Sequence, residues 1–182
     1  MASIKGFQLK NVKRTLGREG YGCIASMYLN GKKIGIYEDY GDGGCENVTY
    51  VSPKAEREMM KVIIEFAKEY DNDFVINLYK ERPQQFKRAC IRFKVRYPYI
   101  PDEDITIETM ASNSIVYIVE ELLYLMDLEK KFKSYLKKGY KAIGVTKQNM
   151  SAYPASWSDE KIRTSAKEDG EEIYISLEDF NK

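Results

Sequence analysis

Residues Tyr21–Tyr37, YGCIASMYLNGKKIGIY, decide how this chain begins to fold. Tyr21, Cys23, Ala25, Met27 and Leu29 alternate with Gly22, Ile24, Ser26, Tyr28 and Asn30, the period of a half-buried strand. Asn30-Gly31 is the dipeptide that a type I′ turn demands, because both central residues must take positive φ. Lys32 to Tyr37 then runs back, with Ile34 and Ile36 on one face, and closes a hairpin. Phe7–Thr15 is expected to add a strand before it and Asn47–Val51 one after it. Two glycine-bearing loops, Gly17–Gly22 and Gly41–Gly44, punctuate the set.

Beyond this N-terminal region, residues 1–51, Ser52-Pro53 opens a helix over 53–70. Serine is a good N-cap, and proline is tolerated at the first helical position because its missing N–H needs no partner there. Met59, Val62, Ile63, Phe66, Ala67 and Tyr70 supply one apolar stripe, and Asp71-Asn72-Asp73 stops it. Residues 71–111 form a mixed region. Phe74–Tyr79 fits a strand or a helical turn, and Asp102–Thr109 a short strand or the approach to the next helix. Ile91, Phe93, Val95 and Tyr97 alternate with Arg92, Lys94 and Arg96, which predicts a strand up to Pro98.

A core helix is expected over 113–138, with Ile118, Leu122, Leu125, Leu128, Phe132, Tyr135 and Leu136 as its stripe and Gly139 just past its end. Within 140–182, Tyr140–Thr146 reads as a strand, Tyr153–Trp157 as a packed loop and Ile173–Ser176 as a short strand. Strands, then helices, without regular βαβ alternation, predict one α+β domain over 1–182. Its mainly antiparallel sheet, an N-terminal meander, packs against two long helices.

The 182 residues are 43% hydrophobic and 31% charged, a globular composition. Lys and Arg total 29 against 28 Asp and Glu, which excludes a purely electrostatic coat for nucleic acid or anionic membrane. No stretch reaches the ~20 apolar residues of a membrane span, so no membrane partner is expected. The opening MASIKGFQLK lacks the roughly 7–15-residue apolar stretch of a secretory signal. Cys23, Cys45 and Cys90 are too few and too far apart for a disulfide framework or a zinc site, as in a reducing, cytoplasmic compartment.

The chain contains no histidine. That removes Ser-His-Asp and Cys-His nucleophile pairs, His-ligated zinc and the commonest general base near neutral pH. The Gly17–Gly22 loop is followed by a strand, not by the helix a dinucleotide fingerprint needs. Glu38, Asp39 and Asp42 beside Gly43-Gly44 are oxygen ligands in kind, but turns ordinarily use the same residues. Asp102, Glu103 and Asp104 with a downstream Glu129-Lys130-Lys131 suggest a metal nuclease only weakly, since Glu129 falls on a helix where that motif wants a strand. The expectation is a protein that is not an enzyme, with no cofactor and no metal.

Charge supplies the candidate binding surfaces. Lys80–Arg96 carries Arg88, Arg92, Lys94 and Arg96 among seven cations against the single acid Glu81. On a strand, Arg92, Lys94 and Arg96 share one face, spaced to follow phosphates. Lys130, Lys133, Lys137 and Lys138 form a second basic surface on the last turns of the core helix, within 130–141. Glu168, Asp169, Glu171 and Glu172 form an acidic surface able to imitate a phosphate run. The basic surfaces suit DNA, RNA or an acidic protein. An exposed aromatic patch would add a homodimer to these partners.

The elements Leu9–Lys13, Gly17–Gly22, Asn30–Lys33 and Asp42–Gly44 occur as LKNVK, GREGYG, NGKK and DGG. In this order the opening resembles the N-terminal segment of small proteins carried by phages and mobile elements of gut Firmicutes. In length and overall run the chain looks like a type II-A anti-CRISPR protein, an inhibitor of Cas9. The resemblance implies a non-enzymatic protein of the bacterial host cytoplasm. Such a protein binds Cas9, or Cas9 with its guide RNA, and stops target DNA being bound or cut. It implies no individual residue role. The alternative from the residues alone is a nucleic-acid-binding accessory protein using 80–96 and 130–141.

Overall fold

The computed structural model describes residues 1–70 and 72–182. Asp71, part of the predicted helix stop, lies outside them. The fold is α+β. Its contacts divide it into two compact units, Leu9–Glu120 and Met1–Gln8 with Glu121–Lys182.

Strands β1 (Phe7–Leu16), β2 (Tyr21–Leu29), β3 (Lys32–Glu38) and β4 (Asn47–Tyr50) form a sheet in sequence order, so β4 is an edge. Asn30 and Gly31 take φ of 49° and 78°, as the turn requires. Register corrects one expectation. Met27 pairs with Gly35 but Tyr28 with Lys33, so Ile34 is the extra residue of a bulge. The bulge shifts the alternation: Ile34, Gly35 and Tyr37 turn inward, and Ile36 is exposed rather than sharing the face of Ile34.

The loops flanking the sheet lock together through backbone. The Gly17 N–H donates to the Gly20 carbonyl, the Glu19 N–H to the Gly41 carbonyl at 2.9 Å and the Arg18 N–H to Asp42 Oδ1 at 3.0 Å. Asp39 Oδ1 accepts the Gly41 N–H at 2.8 Å. A Cβ on Gly17 or Gly22 would overlap the carbonyl oxygens of Tyr40 and Asp39, respectively. These glycines are therefore explained by close approach of backbone to backbone.

Helix α1 (Pro53–Ala67) starts as expected, the Ser52 hydroxyl accepting the Ala55 N–H. Met59, Met60, Ile63, Ile64, Phe66 and Ala67 bury its inner face, while Val62 and Tyr70 are half-buried. The mixed region is helical. It holds α2 (Asp73–Glu81), α3 (Pro83–Arg96), a 3₁₀ turn at Asp102–Asp104 and α4 (Ile107–Ala111). The predicted strand at 91–97 is thus overturned, because Phe86, Ala89, Cys90, Phe93 and Tyr97 turn inward at helical spacing. Pro83 starts that helix where a strand was not yet expected. Ile91 and Val95, assigned to the core by the period-two reading, are exposed.

Helix α5 (Ile115–Lys137) buries Ile118, Leu122, Leu125, Leu128 and Phe132 as expected, but leaves Leu136 exposed. Strands β5 (Tyr140–Val145), β6 (Met150–Pro154) and β7 (Glu172–Tyr174) form a second antiparallel sheet, ordered β6-β5-β7. Between β6 and β7 lies α6 (Asp159–Glu168), which was not expected. The Ser158 hydroxyl caps it, Asp159 and Glu160 complement its N-terminal dipole, and Ile162 and Ala166 pack on Ala142 and Tyr153.

Gly22→Ala is expected to lower unfolding free energy by roughly 1–3 kcal/mol, the usual cost of forcing a group into filled space. Gly44→Ala meets nothing within 4 Å and should be nearly neutral. Urea unfolding of the two variants compares them directly.

Candidate functional site

Within the unit Leu9–Glu120, a cleft of about 1120 Å³ runs along β4. Residues 45–51 form one wall without a break, and Ala89, Arg92, Phe93, Arg96 and Tyr97 of α3 and its C-terminal end form the other. The buried Met60 and Ile63 of α1 border the cleft, and Met110 with Asn113–Ile115 completes the lining. Tyr50, Tyr97 and Tyr99 cluster near Glu56, and burial, above all, raises the pKa of each phenol. Phe93 and Tyr97 rings lie 5.0 Å apart, and the Arg96 guanidinium stands 5.3 Å from the Tyr97 ring centroid.

The helix redistributes the predicted basic residues. Arg88, Arg92 and Arg96 recur every four residues and share one exposed stripe. Lys94 does not join them, contrary to the strand reading. It turns the other way, bonding the Ile100 carbonyl and pairing with Asp102 at 2.6 Å. Exposed Ile91 and Val95, at 56% and 79%, flank the arginines. Among the described residues Arg88 and Arg92 have no carboxylate within 4.0 Å.

In the other unit, Lys130, Lys133, Lys137 and Lys138 are all exposed on or just after the last turns of α5. Lys133 is tied at 2.6 Å to Glu129, and Lys138 lies 5.3 Å from the Tyr135 ring centroid. The acidic surface is partly consumed internally. Glu171 accepts the Tyr153 hydroxyl at 2.6 Å; burial and this bond push that phenol up to about 12. Gly144 leaves room for the same carboxylate. Glu172 pairs with Lys182 at 3.1 Å. Glu168 and Asp169 remain exposed at the end of α6.

The carboxylates weighed for metal chemistry have local partners instead. Asp102 pairs with Lys94, and Asp104 with Lys68 at 2.6 Å. Glu38 accepts from Tyr40 and Asn47. Among the described residues, no three His, Cys, Asp or Glu side chains stand together as a metal site. The Cys23 thiol is buried and pushed up to about 11, chiefly by that burial, which disfavours the thiolate. Among the described residues, no helix is long and apolar enough to cross a membrane.

No protein-family model matches the chain, and no curated protein or solved structure is significantly similar to it.

Glu129, weighed as a nuclease ligand, is buried. Its Oε2 accepts the Ala2 N–H at 2.8 Å, and its Oε1 meets Lys133 at 2.6 Å and the Met1 amino group at 3.2 Å. Burial raises the pKa of this carboxyl, but these partners outweigh it and hold the pKa below the ordinary value. A depressed folded-state pKa stabilises the fold above the unfolded pKa of about 4.3, and that stability is lost as pH falls through the folded value. Glu129→Gln should therefore destabilise the protein at pH 7, with the difference from the parent shrinking below about pH 4. Urea unfolding at pH 7 and at acid pH tests this; an equal difference at both would contradict it.

Proposed function

We propose that this chain is a non-catalytic binding protein whose partner is Cas9 carrying its guide RNA, and that it prevents target DNA from being bound or cut in the bacterial cytoplasm. The observation that carries the binding role is the α3 stripe of Arg88, Arg92 and Arg96 beside exposed Ile91 and Val95. Eight residues of helix advance about 12 Å, a span over which three guanidiniums can each meet a phosphate or carboxylate. Arginine suits this work because its planar fork bonds such groups in pairs. The neighbouring apolar pair favours a macromolecular surface that excludes water over a small ion.

Support for Cas9 in particular comes from the chain's likeness, in length and overall run, to type II-A anti-CRISPR proteins. A guide-loaded Cas9 presents RNA phosphates and a channel that a bound protein can obstruct. The lysines of α5 and the carboxylates of Glu168 and Asp169 offer further polar contacts. A second reading, an accessory protein that binds DNA or RNA directly, is favoured by the same stripe together with Lys130, Lys133, Lys137 and Lys138.

Purified protein added in molar excess should suppress DNA cleavage by at least one of several Cas9 orthologues. Arg88→Glu with Arg92→Glu should relieve that suppression while the melting temperature stays unchanged, since neither residue holds the fold through an ion pair. Undiminished cleavage with every orthologue would sink the Cas9 proposal. Tight binding to duplex DNA alone, weakening steeply with added salt, would select the accessory reading.

A further inference from the structure

We infer that the cleft beside β4 captures an extended polypeptide segment of alternating apolar and acidic residues as a fifth strand of the N-terminal sheet. The backbone of β4 is set up for this. The Val51 N–H donates to the Ile34 carbonyl, and the pairing of Thr49 with Ile36 and Asn47 with Glu38 continues the same register. Residues 47, 49 and 51 therefore direct their backbone groups toward β3. Strand alternation turns the N–H and C=O of Val48 and Tyr50 the other way, to the open edge. Among the described residues, β4 has no strand beyond it in the sheet.

Natural edges are usually guarded by lysine, proline or a bulge. Asn47-Val48-Thr49-Tyr50 contains none of these residues, and its register with β3 is regular. The strand instead lines a cleft along its whole length, and α3 residues line the same cleft. Four residues of strand extend about 13 Å, long enough to fix an incoming segment by main-chain pairing.

The lining selects the segment's chemistry. Val48, Val51 and Tyr97 supply accessible apolar surface, whereas Met60, Ile63 and Phe93 are buried, and the exposed Arg92 and Arg96 are cationic. Glu46 and Glu56 line the same cleft but are half-buried, so the exposed arginines dominate its surface although its formal charge is balanced. A nucleic acid strand, with a phosphate at every residue, would meet both carboxylates. A polypeptide with acids only at alternate positions can satisfy the arginines and gain its remaining affinity from Val48 and Tyr50 main-chain bonds. Strand capture holds whichever protein supplies the segment, so its test uses synthetic peptides and is independent of Cas9.

The isotopically labelled full chain is titrated with a blocked hexapeptide alternating Glu and Val, its Lys-Val counterpart and hexauridine, followed by amide NMR. The Glu-Val peptide should perturb the Val48 and Tyr50 amides most and slow their hydrogen exchange by about tenfold or more at saturation. The Lys-Val peptide should bind at least about tenfold more weakly, a difference of 1.4 kcal/mol. Val48→Pro removes an outward N–H that the sheet does not use, so it should abolish binding with the circular dichroism spectrum unchanged. Arg92→Glu, which leaves the strand untouched, should reverse the preference toward Lys-Val and serves if the proline variant fails to fold. No saturable binding of the Glu-Val peptide, binding undiminished in both variants, or hexauridine taking the cleft in its place would overturn the inference. So would dimerisation of the chain through β4, which would make a second copy the occupant.

Discussion

The register of the β2–β3 hairpin is the constraint on which the sheet and its open edge depend. Two consecutive residues at positive φ, Asn30 and Gly31, start it, and the extra residue Ile34 resets it. Without that bulge, Ile36 would face inward and Tyr37 outward. With it, Tyr37 fills the core beside Met27 and Cys23, all three almost wholly excluded from solvent. The same register carries into β4, where it decides which amides bond β3 and which face the cleft. Ser52 caps α1 two residues after β4 ends, so the strand's position also fixes where the helix begins. A one-residue slip would invert every one of these assignments.

Charge in this protein is arranged by local pairing more than by net excess. Lys68 with Asp104, Lys94 with Asp102, Lys133 with Glu129 and Lys182 with Glu121 and Glu172 each tie a lysine to a carboxylate. Most of these pairs are exposed, and such pairs contribute at most about 1 kcal/mol each. Their larger effect is on what remains. Lys94 of α3 is spent on its own surroundings, whereas Arg88 and Arg92 are not. A nearly neutral composition thus coexists with a concentrated cationic stripe, a distinction that counting residues cannot make.

Much of the fold was legible because strong local signals agreed with burial. The Asn30-Gly31 turn, the Ser52-Pro53 helix start, the stripe from Ile118 to Phe132 and the strand at Tyr140 all combine a period with a capping or turn residue. Residues 83–97 misled because one set of side chains satisfies two periods. Phe93 and Tyr97 belong both to the alternating line with Ile91 and Val95 and to the helical line with Phe86, Ala89 and Cys90. Only the second line meets a core, and only tertiary contacts reveal that. Three of the four α3 candidates survive as a surface because Arg88, Arg92 and Arg96 keep to a four-residue spacing, while the strand reading had grouped Lys94 in place of Arg88. Helix α6 was not expected, although Asp159 and Glu160 stand in its first turn, where acids are a helix signal. The cleft was illegible throughout, since it joins β4 to a helix more than thirty residues away in sequence.

The glycine loops are accounted for by the sheet itself. Gly17, Gly22 and Gly41 are needed where two backbones meet, and Asp39 and Asp42 bond amides in those same loops. Each has a reason to be retained that involves only this sheet. Partner choice must be written in side chains that the sheet does not need. Exposed Arg88, Ile91, Arg92 and Val95 on α3, and the outward amides of Val48 and Tyr50, meet that condition.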